Sequence, residues 1–249
     1  MKKVLVSWSS GKDSAWTLHA LRQQPDISVG AILTTISEEH DDRVTMHGVR
    51  RALVEAQAAS IGLPVWTVPI APNCSDEIYR RQMCEVCDKA LGEGFMAIAF
   101  GDLYLEDVRK YRETRLQGTG LEPLFPLWGK PTSELAREMV SSGLRAKIAC
   151  LDPTKIPREL VGRDFDLEFF AALPADVDPC AERGEFHTFV YDSPEFAEPL
   201  DITSGGISES DGLVFADFSL SNGNQMPPAR RQQLVPITTP PAIPDNTAQ

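Results

Sequence analysis

Short apolar runs alternate with stretches of helical periodicity in the first half of the chain, and this alternation limits the fold more than any other feature. The apolar runs lie at Lys3–Trp8, Val29–Ile36, Val65–Ile70, Met96–Phe100 and Glu122–Trp128. The helical stretches between them lie at Asp13–Leu21, Met46–Ile61, Ser75–Leu91 and Glu106–Gln117. Apolar strands separated by helices are typical of a parallel sheet with helices on both faces. We therefore predict an α/β fold for this half.

The pattern changes after Trp128. We expect a helix at Thr132–Ser142, a strand at Arg145–Leu151 and a mostly helical stretch at Arg158–Leu173. Two later segments alternate with period two, which indicates antiparallel strands at Gly184–Tyr191 and Gly212–Ser219. From position 227 onward proline, glutamine and threonine dominate, which is typical of disorder. The predicted organisation is an α/β domain at residues 1–128, a smaller α+β domain at 129–226 and a disordered tail at 227–249.

The composition limits the class of protein. The 249 residues are enough to bury a sizeable core, and the net charge of −12 argues against a broad nucleic-acid surface. No apolar run approaches the length of a membrane-spanning helix, and the apolar part of the N-terminus is too short for a signal peptide. Five cysteines, an odd number, indicate a reducing compartment when no export signal is present. We therefore expect a cytoplasmic protein that does not bind membranes.

A strand, a polar turn and a helix start meet at the segment S-S-G-K-D-S. A helix N-terminus has unpaired N–H groups that favour an anion, and the small residues here allow a phosphate to reach the backbone. A Walker A loop does not fit, because Asp13 follows the lysine and Val6 stands where the first glycine is required. A G-x-G-x-x-G loop does not fit either, because only one glycine is present. The residues predicted to bind phosphate are Ser9, Ser10, Gly11, Lys12, Asp13 and Ser14.

This segment resembles the S-G-G-x-D-S loop of the ATP pyrophosphatases, with Ser10 where glycine is usual. The resemblance implies cleavage of ATP between its α and β phosphates, which yields AMP and pyrophosphate. If the position requires a positive φ, serine is strained there, because glycine alone adopts that conformation freely. The hydroxyl of Ser10 would in return add a hydrogen-bonding group to the loop.

Further motifs resemble one branch of that superfamily, the diphthine–ammonia ligase family. Besides S-S-G-K-D-S, the matching segments are M-H-G-V from Met46, Q-A-A-S-I-G-L-P from Gln57, G-D-L-Y from Gly101, F-P-L-W from Phe125 and D-P-C-A-E-R-G-E-F-H-T-F-V from Asp178. The family often has glycine where Ala181 stands. The resemblance implies a Rossmann-like fold of the PP-loop type that binds ATP and Mg²⁺. It also implies ammonia and an acceptor carboxylate, on a protein or a small molecule, as the other substrates.

Ligands of open parallel sheets bind outside the carboxyl ends of the strands. The phosphate loop, Thr34–Glu38 and Gly101–Asp102 all follow such ends, so we expect them to converge on one crevice. The resemblance implies that Thr34 and Thr35 present backbone groups to adenine.

Four polar residues near this crevice are further candidates. Asp102 is placed to bind Mg²⁺ or to orient a ribose or substrate, although a simple turn aspartate fits equally well. The resemblance favours His47 as an ATP or substrate contact, against a capping or surface role. Arg112 and Arg115 belong to a basic cluster and are three residues apart on one helix face, where they could bind a phosphate or carboxylate. A solvated helix face is the alternative for this cluster.

The segment G-E-F-H-T is the strongest candidate in the second half. Strand alternation places Glu185 and His187 on one face and Phe186 and Thr188 on the other. A Glu–His pair could transfer a proton or position substrate, whereas the alternative is a polar strand face over a core. The resemblance favours a substrate-binding site that includes Thr188 and, more weakly, Glu182.

A C-x-x-C pair at Cys84 and Cys87 invites a redox or metal interpretation, as in PP-loop enzymes that thiolate tRNA. Cys87, however, falls on the apolar stripe of its predicted helix, and no second pair completes a zinc site. We therefore predict that these cysteines are packing residues.

Together these features predict an ATP-dependent amide-forming ligase. The acceptor carboxylate would attack the α-phosphate of ATP, and ammonia would then displace AMP. Lys12, Asp13, Glu185 and His187 are the predicted catalytic residues. The alternatives are another adenylating PP-loop enzyme, such as a tRNA thiolase or a small-molecule amidotransferase, or an adenine-nucleotide sensor without turnover. The acidic charge disfavours nucleic acid as a partner, and a homo-oligomer is compatible with the sequence.

Overall fold

A computed structural model describes residues 1–37, 43–44, 47–71 and 74–221. The strands are β1 (Lys2–Ser7), β2 (Ile27–Ser37), β3 (Arg43–Val44), β4 (Val65–Ile70), β5 (Ala97–Ala99), β6 (Glu122–Leu124), β7 (Arg145–Leu151), β8 (Phe186–Asp192), β9 (Ile202–Ser210) and β10 (Leu213–Leu220). Within these residues the α-helices are α1 (Lys12–Arg22), α2 (Arg51–Ile61), α3 (Asp76–Gly92), α4 (Glu106–Leu116), α5 (Thr132–Ser141) and α6 (Leu167–Ala172). The predicted tail at 227–249, and the predicted bounds Glu38 and Met46, lie outside the described residues.

The first half forms a mostly parallel sheet in the order β4-β2-β1-β5-β6, and β3 adds a short antiparallel pair at the end of β2. The central strands are buried on both faces, as their apolar sequences predict. Val4 and Val6 of β1 pack on the side of α1 and α2, whereas Leu5 packs on the side of α3 and α4. The predicted α/β architecture is confirmed.

The second half forms an antiparallel sheet in the order β8-β7-β10-β9. Its inner face shares one continuous core with the α1 and α2 side of the parallel sheet, because Ile148, Phe189 and Val214 belong to the same buried cluster as Val4. The outer edge of β8 lies against the start of α1, where the backbone N–H of Val190 donates to the carbonyl of Ser10. The second sheet therefore reaches the predicted phosphate loop.

Two predicted elements differ from the structure. The helix expected from Met46 begins at Arg51, because Gly48 has φ +67° and Arg50 is an extended N-cap residue. The stretch Arg158–Leu173, predicted to be mostly helical, is helical only in two short separate pieces. It contains one 3₁₀ turn at Arg158–Leu160 and the six-residue α6, separated where Gly162 has φ +79°.

Candidate active site

The turn between β1 and α1 has an unusual backbone. Ser10 has φ +69°, the left-handed conformation that is costly for a residue with a side chain. Gly11 is enclosed as well, since a Cβ there would lie 3.0 Å from the Thr188 carbonyl oxygen and 3.2 Å from Cε1 of His47. The turn is therefore a tightly packed loop at the carboxyl end of β1, and the positive φ that would strain Ser10 is present.

Hydrogen bonds from distant parts of the chain hold this loop. The Ser10 carbonyl accepts from the Val190 N–H at 2.9 Å and from Nε2 of Gln57 at 3.1 Å. Gln57 is fully buried, also donates to the Val190 carbonyl at 2.6 Å, and accepts from Nε1 of Trp8 at 2.8 Å. The predicted substrate residue Thr188 is buried, and its Oγ1 accepts the Lys12 N–H at 3.0 Å. Sequence reasoning missed Gln57, although a lone amide among the apolar residues of α2 was its signal.

Lys12 and Asp13 form a buried ion pair at the start of α1. Nζ of Lys12 donates to Oδ2 of Asp13 at 2.8 Å and also to the carbonyl of Cys180. Burial lowers the pKa of Lys12, but Asp13, together with Cys180 and Asp178, outweighs burial and the pKa is raised, so the lysine is charged. Burial raises the pKa of Asp13 despite Lys12, and its Oδ1 has no hydrogen-bond partner among the described residues. The ion pair therefore leaves one carboxylate oxygen, Oδ1 of Asp13, free to accept a further hydrogen bond or a cation.

A cleft of about 470 Å³ opens beside this ion pair and brings most of the predicted residues together. It is lined by Ser7, Ser9, Lys12, Asp13, Ser14, His47, Phe100, Gly101, Asp102, Leu105, Arg112, Ala181, Glu182, Arg183, Gly184, Phe186, His187 and Thr188. Both halves of the chain contribute to this list. The predicted crevice at the ends of the parallel strands is therefore roofed by the second half.

Asp102 faces Arg112 at the inner end of the cleft. Oδ2 of Asp102 lies 3.5 Å from Nε of Arg112, and neither atom forms a hydrogen bond with any described residue. Burial raises the pKa of Asp102, and Arg112 partly counters this effect. A Cβ at Gly101 would lie 3.0 Å from the Asp13 backbone, so only glycine allows this close approach. Asp102 thus presents a carboxylate oxygen with unused acceptor capacity close to Asp13.

Glu182 joins the two halves at the rim of the cleft. Its Oε1 accepts the N–H groups of Leu103, at 2.6 Å, and Tyr104, at 3.3 Å. Burial raises the pKa of Glu182, although these N–H donors favour the ionised form. The carboxylate therefore fixes the loop after β5, which is a different task from the predicted contact with substrate.

A second cavity of about 510 Å³ adjoins the cleft and shares Ser7, Ser9, His47, Phe100 and Arg112 with it. Its remaining lining is Trp8, Leu33, Thr35, Val44, Ile70, Cys74, Asp76, Tyr79, Arg80, Met83, Cys84, Cys87, Ile98, Tyr111, Arg115, Leu116 and Thr119. Thr35 faces this cavity, whereas the buried Thr34 points to the opposite side of the sheet. Thus Arg112 and Arg115 meet at one largely apolar space.

Two histidines face each other where the cleft opens. The ring centroids of His47 and His187 are 4.5 Å apart, and Nδ1 of His47 lies 3.5 Å from the Thr188 carbonyl oxygen. Burial lowers the pKa of His47 well below its usual value, and the neighbouring His187 lowers it further. Burial, with the nearby charge of Lys12, lowers the pKa of His187 to about 4. Both rings are therefore neutral at pH 7.

The predicted alternation along G-E-F-H-T holds from Phe186 onward. Phe186 is buried in the core with its ring centroid 5.6 Å from Nζ of Lys12, and Thr188 also faces α1, whereas His187 faces His47. Glu185 precedes β8 and is 6% exposed, and within the described chain its Oε2 has no hydrogen-bond partner. Glu185 is not among the residues that line the two cavities described above. The structure therefore separates Glu185 from the cleft surface that His187 occupies.

Two kinds of feature are absent from the described parts of the chain. No three His, Cys, Asp or Glu side chains there are grouped closely enough to hold a metal ion by themselves. No helix in those parts is both long and apolar enough to cross a membrane.

Two protein-family models match the chain. One, described as the diphthamide synthase N-terminal domain, matches residues 1–123, and the other, the diphthamide synthase C-terminal domain, matches residues 131–214. Together they cover more than four fifths of the 249 residues.

Curated relatives agree with these matches. The human diphthine–ammonia ligase is 30% identical over 118 residues, which are 45% of this chain and 44% of that protein. The rat protein of that name is 31% identical over 102 residues, 39% of this chain and 38% of its own length. The one from Schizosaccharomyces pombe is 29% identical over 107 residues, 40% of this chain and 18% of its own length. The matched segment spans less than half of each relative, and with the two family models it shows that the chain belongs to the diphthine–ammonia ligase (diphthamide synthase) family.

Proposed function

We propose that this protein is an ATP-dependent ligase that joins ammonia to an acceptor carboxylate and releases AMP and pyrophosphate. The carrying observation is the strained loop at Ser10 and Gly11, which lies between a parallel strand and a helix N-terminus beside two adjoining cavities. This arrangement suits a nucleoside triphosphate. The loop offers backbone N–H groups, one cavity is largely apolar and the other is lined by charged residues. The human and rat relatives, both named diphthine–ammonia ligase, suggest the reaction class.

The adenosine of ATP fits the larger cavity and its phosphates fit the cleft. Leu33, Ile70 and Phe100 give the larger cavity apolar walls for a purine, and Thr35 stands at the end of β2. The residues shared by the two cavities connect this space to the phosphate loop. Arg112 lines both cavities and is placed to meet the phosphate that lies between them.

The residues of the cleft fit Mg²⁺ that is shared with the phosphates. Magnesium is usually bound by one or two carboxylates together with phosphates and water. Asp13 and Asp102 each have one carboxylate oxygen without a described hydrogen-bond partner, and both line the cleft. When bound there, Mg²⁺ would supply positive charge beside the phosphates, and these two residues would hold it.

The acceptor binds from the side of the second sheet in this proposal. Its carboxylate attacks the α-phosphorus of ATP, the bond to the bridging oxygen breaks, and pyrophosphate leaves. Ammonia then attacks the acyl carbonyl, loses a proton, and AMP leaves. His187 and its neighbour His47 are neutral and line the cleft, so each offers a lone pair that can accept this proton. We propose that residues 1–128 bind ATP and that residues 129–226 supply the acceptor side.

One observation favours a second candidate, a thiolating PP-loop enzyme. Cys74, Cys84 and Cys87 all line the larger cavity, so three thiols lie next to the proposed adenosine site. Burial, however, raises the pKa of Cys87 to about 11, which leaves its thiol protonated and weakly nucleophilic at neutral pH. The ligase therefore remains the better-supported function.

A product assay tests this proposal directly. The protein is incubated with ATP, MgCl₂ and ammonium chloride, together with a peptide that carries diphthine. A matched reaction contains the same peptide already amidated. We expect AMP, pyrophosphate and the amidated peptide in equal amounts in the first reaction and none in the second. Tight ATP binding without AMP formation on any carboxylate offered would contradict the ligase and favour a nucleotide sensor.

A further inference from the structure

We propose that Gln57 is the positioning residue of the phosphate loop, and that it acts by holding Ser10 in its left-handed conformation. The inference deepens the proposed function, on which it rests, because it assigns the geometry of the ATP site to a side chain that lies outside that site. Gln57 is buried on α2 and is not among the residues that line the two cavities described above. Its effect on a nucleotide must therefore pass through the loop.

The conformation of Ser10 requires an external restraint. A residue with a side chain is disfavoured in the left-handed region and persists there only where surrounding contacts fix it. Within the described chain, the Ser10 hydroxyl is buried without a hydrogen-bond partner, so the side chain does not supply that restraint. The Ser10 carbonyl, by contrast, accepts two hydrogen bonds, from the Val190 N–H and from Nε2 of Gln57. The two hydrogen bonds to the Ser10 carbonyl therefore supply the restraint.

Gln57 is the part of this arrangement that connects three elements. Its amide nitrogen bridges the carbonyls of Ser10 and Val190, at 3.1 and 2.6 Å, and so joins the loop to β8. Its amide oxygen accepts from Nε1 of Trp8, which fixes the orientation of the amide because only the oxygen can accept. A buried amide with all of these partners occupies one position, so the restraint on the loop is rigid.

The restrained backbone is the one that a phosphate would contact. The Gly11 N–H has only a weak 3.4 Å contact with the Ser9 hydroxyl, so its hydrogen-bonding capacity is largely unused. Gly11 itself is buried, and the adjacent Ser9 and Lys12 line the cleft. The direction of the Gly11 N–H is set by the peptide that begins at the Ser10 carbonyl, to which Gln57 binds. Loss of the amide donor releases that peptide and disperses the direction of the N–H group. Phosphate binding then has to restore the conformation.

Three variants test this assignment. Gln57→Met keeps the volume of the side chain and removes its hydrogen bonds. Ser60→Ala is the matched control, because Ser60 also lies on α2 and its Oγ donates at 2.8 Å to the Glu198 carbonyl, which is outside the loop. Ser10→Gly relieves the strain that Gln57 is proposed to counter, because glycine adopts a positive φ freely. ATP affinity is measured by calorimetry in MgCl₂ on the folded fraction of each variant.

We expect Gln57→Met to weaken ATP binding on the order of tenfold, while Ser60→Ala leaves it unchanged. The double variant Ser10→Gly/Gln57→Met should recover most of that loss, because the backbone no longer needs the restraint. If Gln57→Met does not fold, Gln57→Glu replaces it, since the carboxylate keeps the acceptor for Trp8 and removes the amide donor.

The outcomes separate this inference from the proposed function. If the wild-type protein does not bind ATP, the proposed function fails and the inference fails with it. If the wild type binds ATP and folded Gln57→Met binds it equally well, only the inference is overturned. Equal losses in Gln57→Met and Ser60→Ala, or no recovery with Ser10→Gly, would reduce Gln57 to a residue of general stability.

Discussion

At the scale of single residues, the ammonium group of Lys12 is already paired within the protein before any nucleotide binds. Its ammonium group contacts Asp13 and the Cys180 carbonyl at the start of α1, and it is 3% exposed. In the proposed site this lysine has two tasks, to neutralise Asp13 and to lower the cost of bringing more negative charge into the cleft. Its removal should therefore affect binding more than an ordinary surface lysine does.

The variant Lys12→Ala tests this expectation. We expect ATP binding to weaken roughly 10- to 100-fold, because charge-assisted interactions in a desolvated site are lost. Calorimetry with ATP and MgCl₂ measures the affinity, and Lys130→Ala is the control because Lys130 forms only an exposed pair with Glu138. Unchanged affinity together with unchanged pyrophosphate release in Lys12→Ala would remove this residue from the phosphate site.

The buried histidines predict how stability depends on pH. The pKa of His187 is about 4 in the folded protein and about 6.5 in an unfolded chain, so below pH 6.5 the unfolded state binds a proton that the folded state does not. Stability is therefore lost as pH falls from about 6.5 to about 4, and the loss at pH 5 amounts to about 2 kcal/mol. His47, whose pKa is also lowered, acts in the same direction.

Urea unfolding at pH 7 and pH 5 measures this effect. The raised pKa values of Asp13, Asp102 and Glu182 act in the opposite direction, since these carboxyls bind protons more readily when folded. The comparison is therefore made with His187→Gln, which keeps those carboxyls and lacks the titrating ring. Wild type should lose about 2 kcal/mol more than His187→Gln between the two pH values. Equal losses would show that His187 is not buried in its neutral form.

Sequence reasoning reached some of these residues and not others. Ser10 and Ala181, the two positions where the resemblance implies glycine, both have positive φ angles, of 69° and 54°. A resemblance can predict such positions because the backbone demand is encoded locally. The role of Gln57 was not predicted from the sequence, because its partners Ser10 and Val190 are 47 and 133 residues away.

At the scale of elements, the sequence pattern predicted the strands and helices whose apolar residues recur with a regular period. The strands β4 and β7 have the predicted bounds, and Ser75, the first residue of a predicted helical stretch, caps α3 by accepting the Ile78 N–H. The strand β9 was missed, since eight of its nine residues are exposed and its sequence I-T-S-G-G-I-S-E-S lacks apolar alternation. This segment is a strand because it pairs with β10, and the period of its own side chains does not reveal that pairing.

The helix α3 carries the prediction that concerns cysteine. The predicted packing role fits the buried Cys87 but not Cys84, which is exposed. Replacing both with serine should cost about 1–3 kcal/mol of stability, since a hydroxyl is buried in place of the Cys87 thiol. The folded fraction should keep its ATP-dependent chemistry. Cys150→Ser is the matched control, because Cys150 is buried in β7 and is not among the residues that line the two cavities described above. Loss of turnover in the double variant, with an unfolding midpoint equal to that of the control, would favour a thiolating enzyme.

At the scale of the whole molecule, both halves of the chain contribute residues to the lining of the cleft. The loop belongs to the parallel sheet, but Thr188 accepts a hydrogen bond from Lys12 across 176 residues of sequence. Glu182 in turn holds the backbone after β5. Sequence patterns placed these residues on the right strands and loops, but the contact between the halves depends on how the edge of β8 packs on α1. No periodicity in one chain encodes such a contact.

Glu185 tests whether the second half serves chemistry or only packing. A buried carboxylate oxygen without a partner costs about 1–3 kcal/mol, and Oε2 of Glu185 is such an atom within the described chain. Glu185→Gln removes the charge and keeps the shape, so the melting temperature should rise or stay unchanged. If Glu185 acts on the acceptor or on ammonia, acceptor-dependent AMP formation should nevertheless fall by about 10²–10⁴-fold, while calorimetry shows unchanged ATP affinity. The control is Glu209→Gln, an exposed carboxylate on β9. Full turnover in a folded Glu185→Gln protein would exclude this carboxylate from the reaction and leave His187 and His47 as the candidate bases.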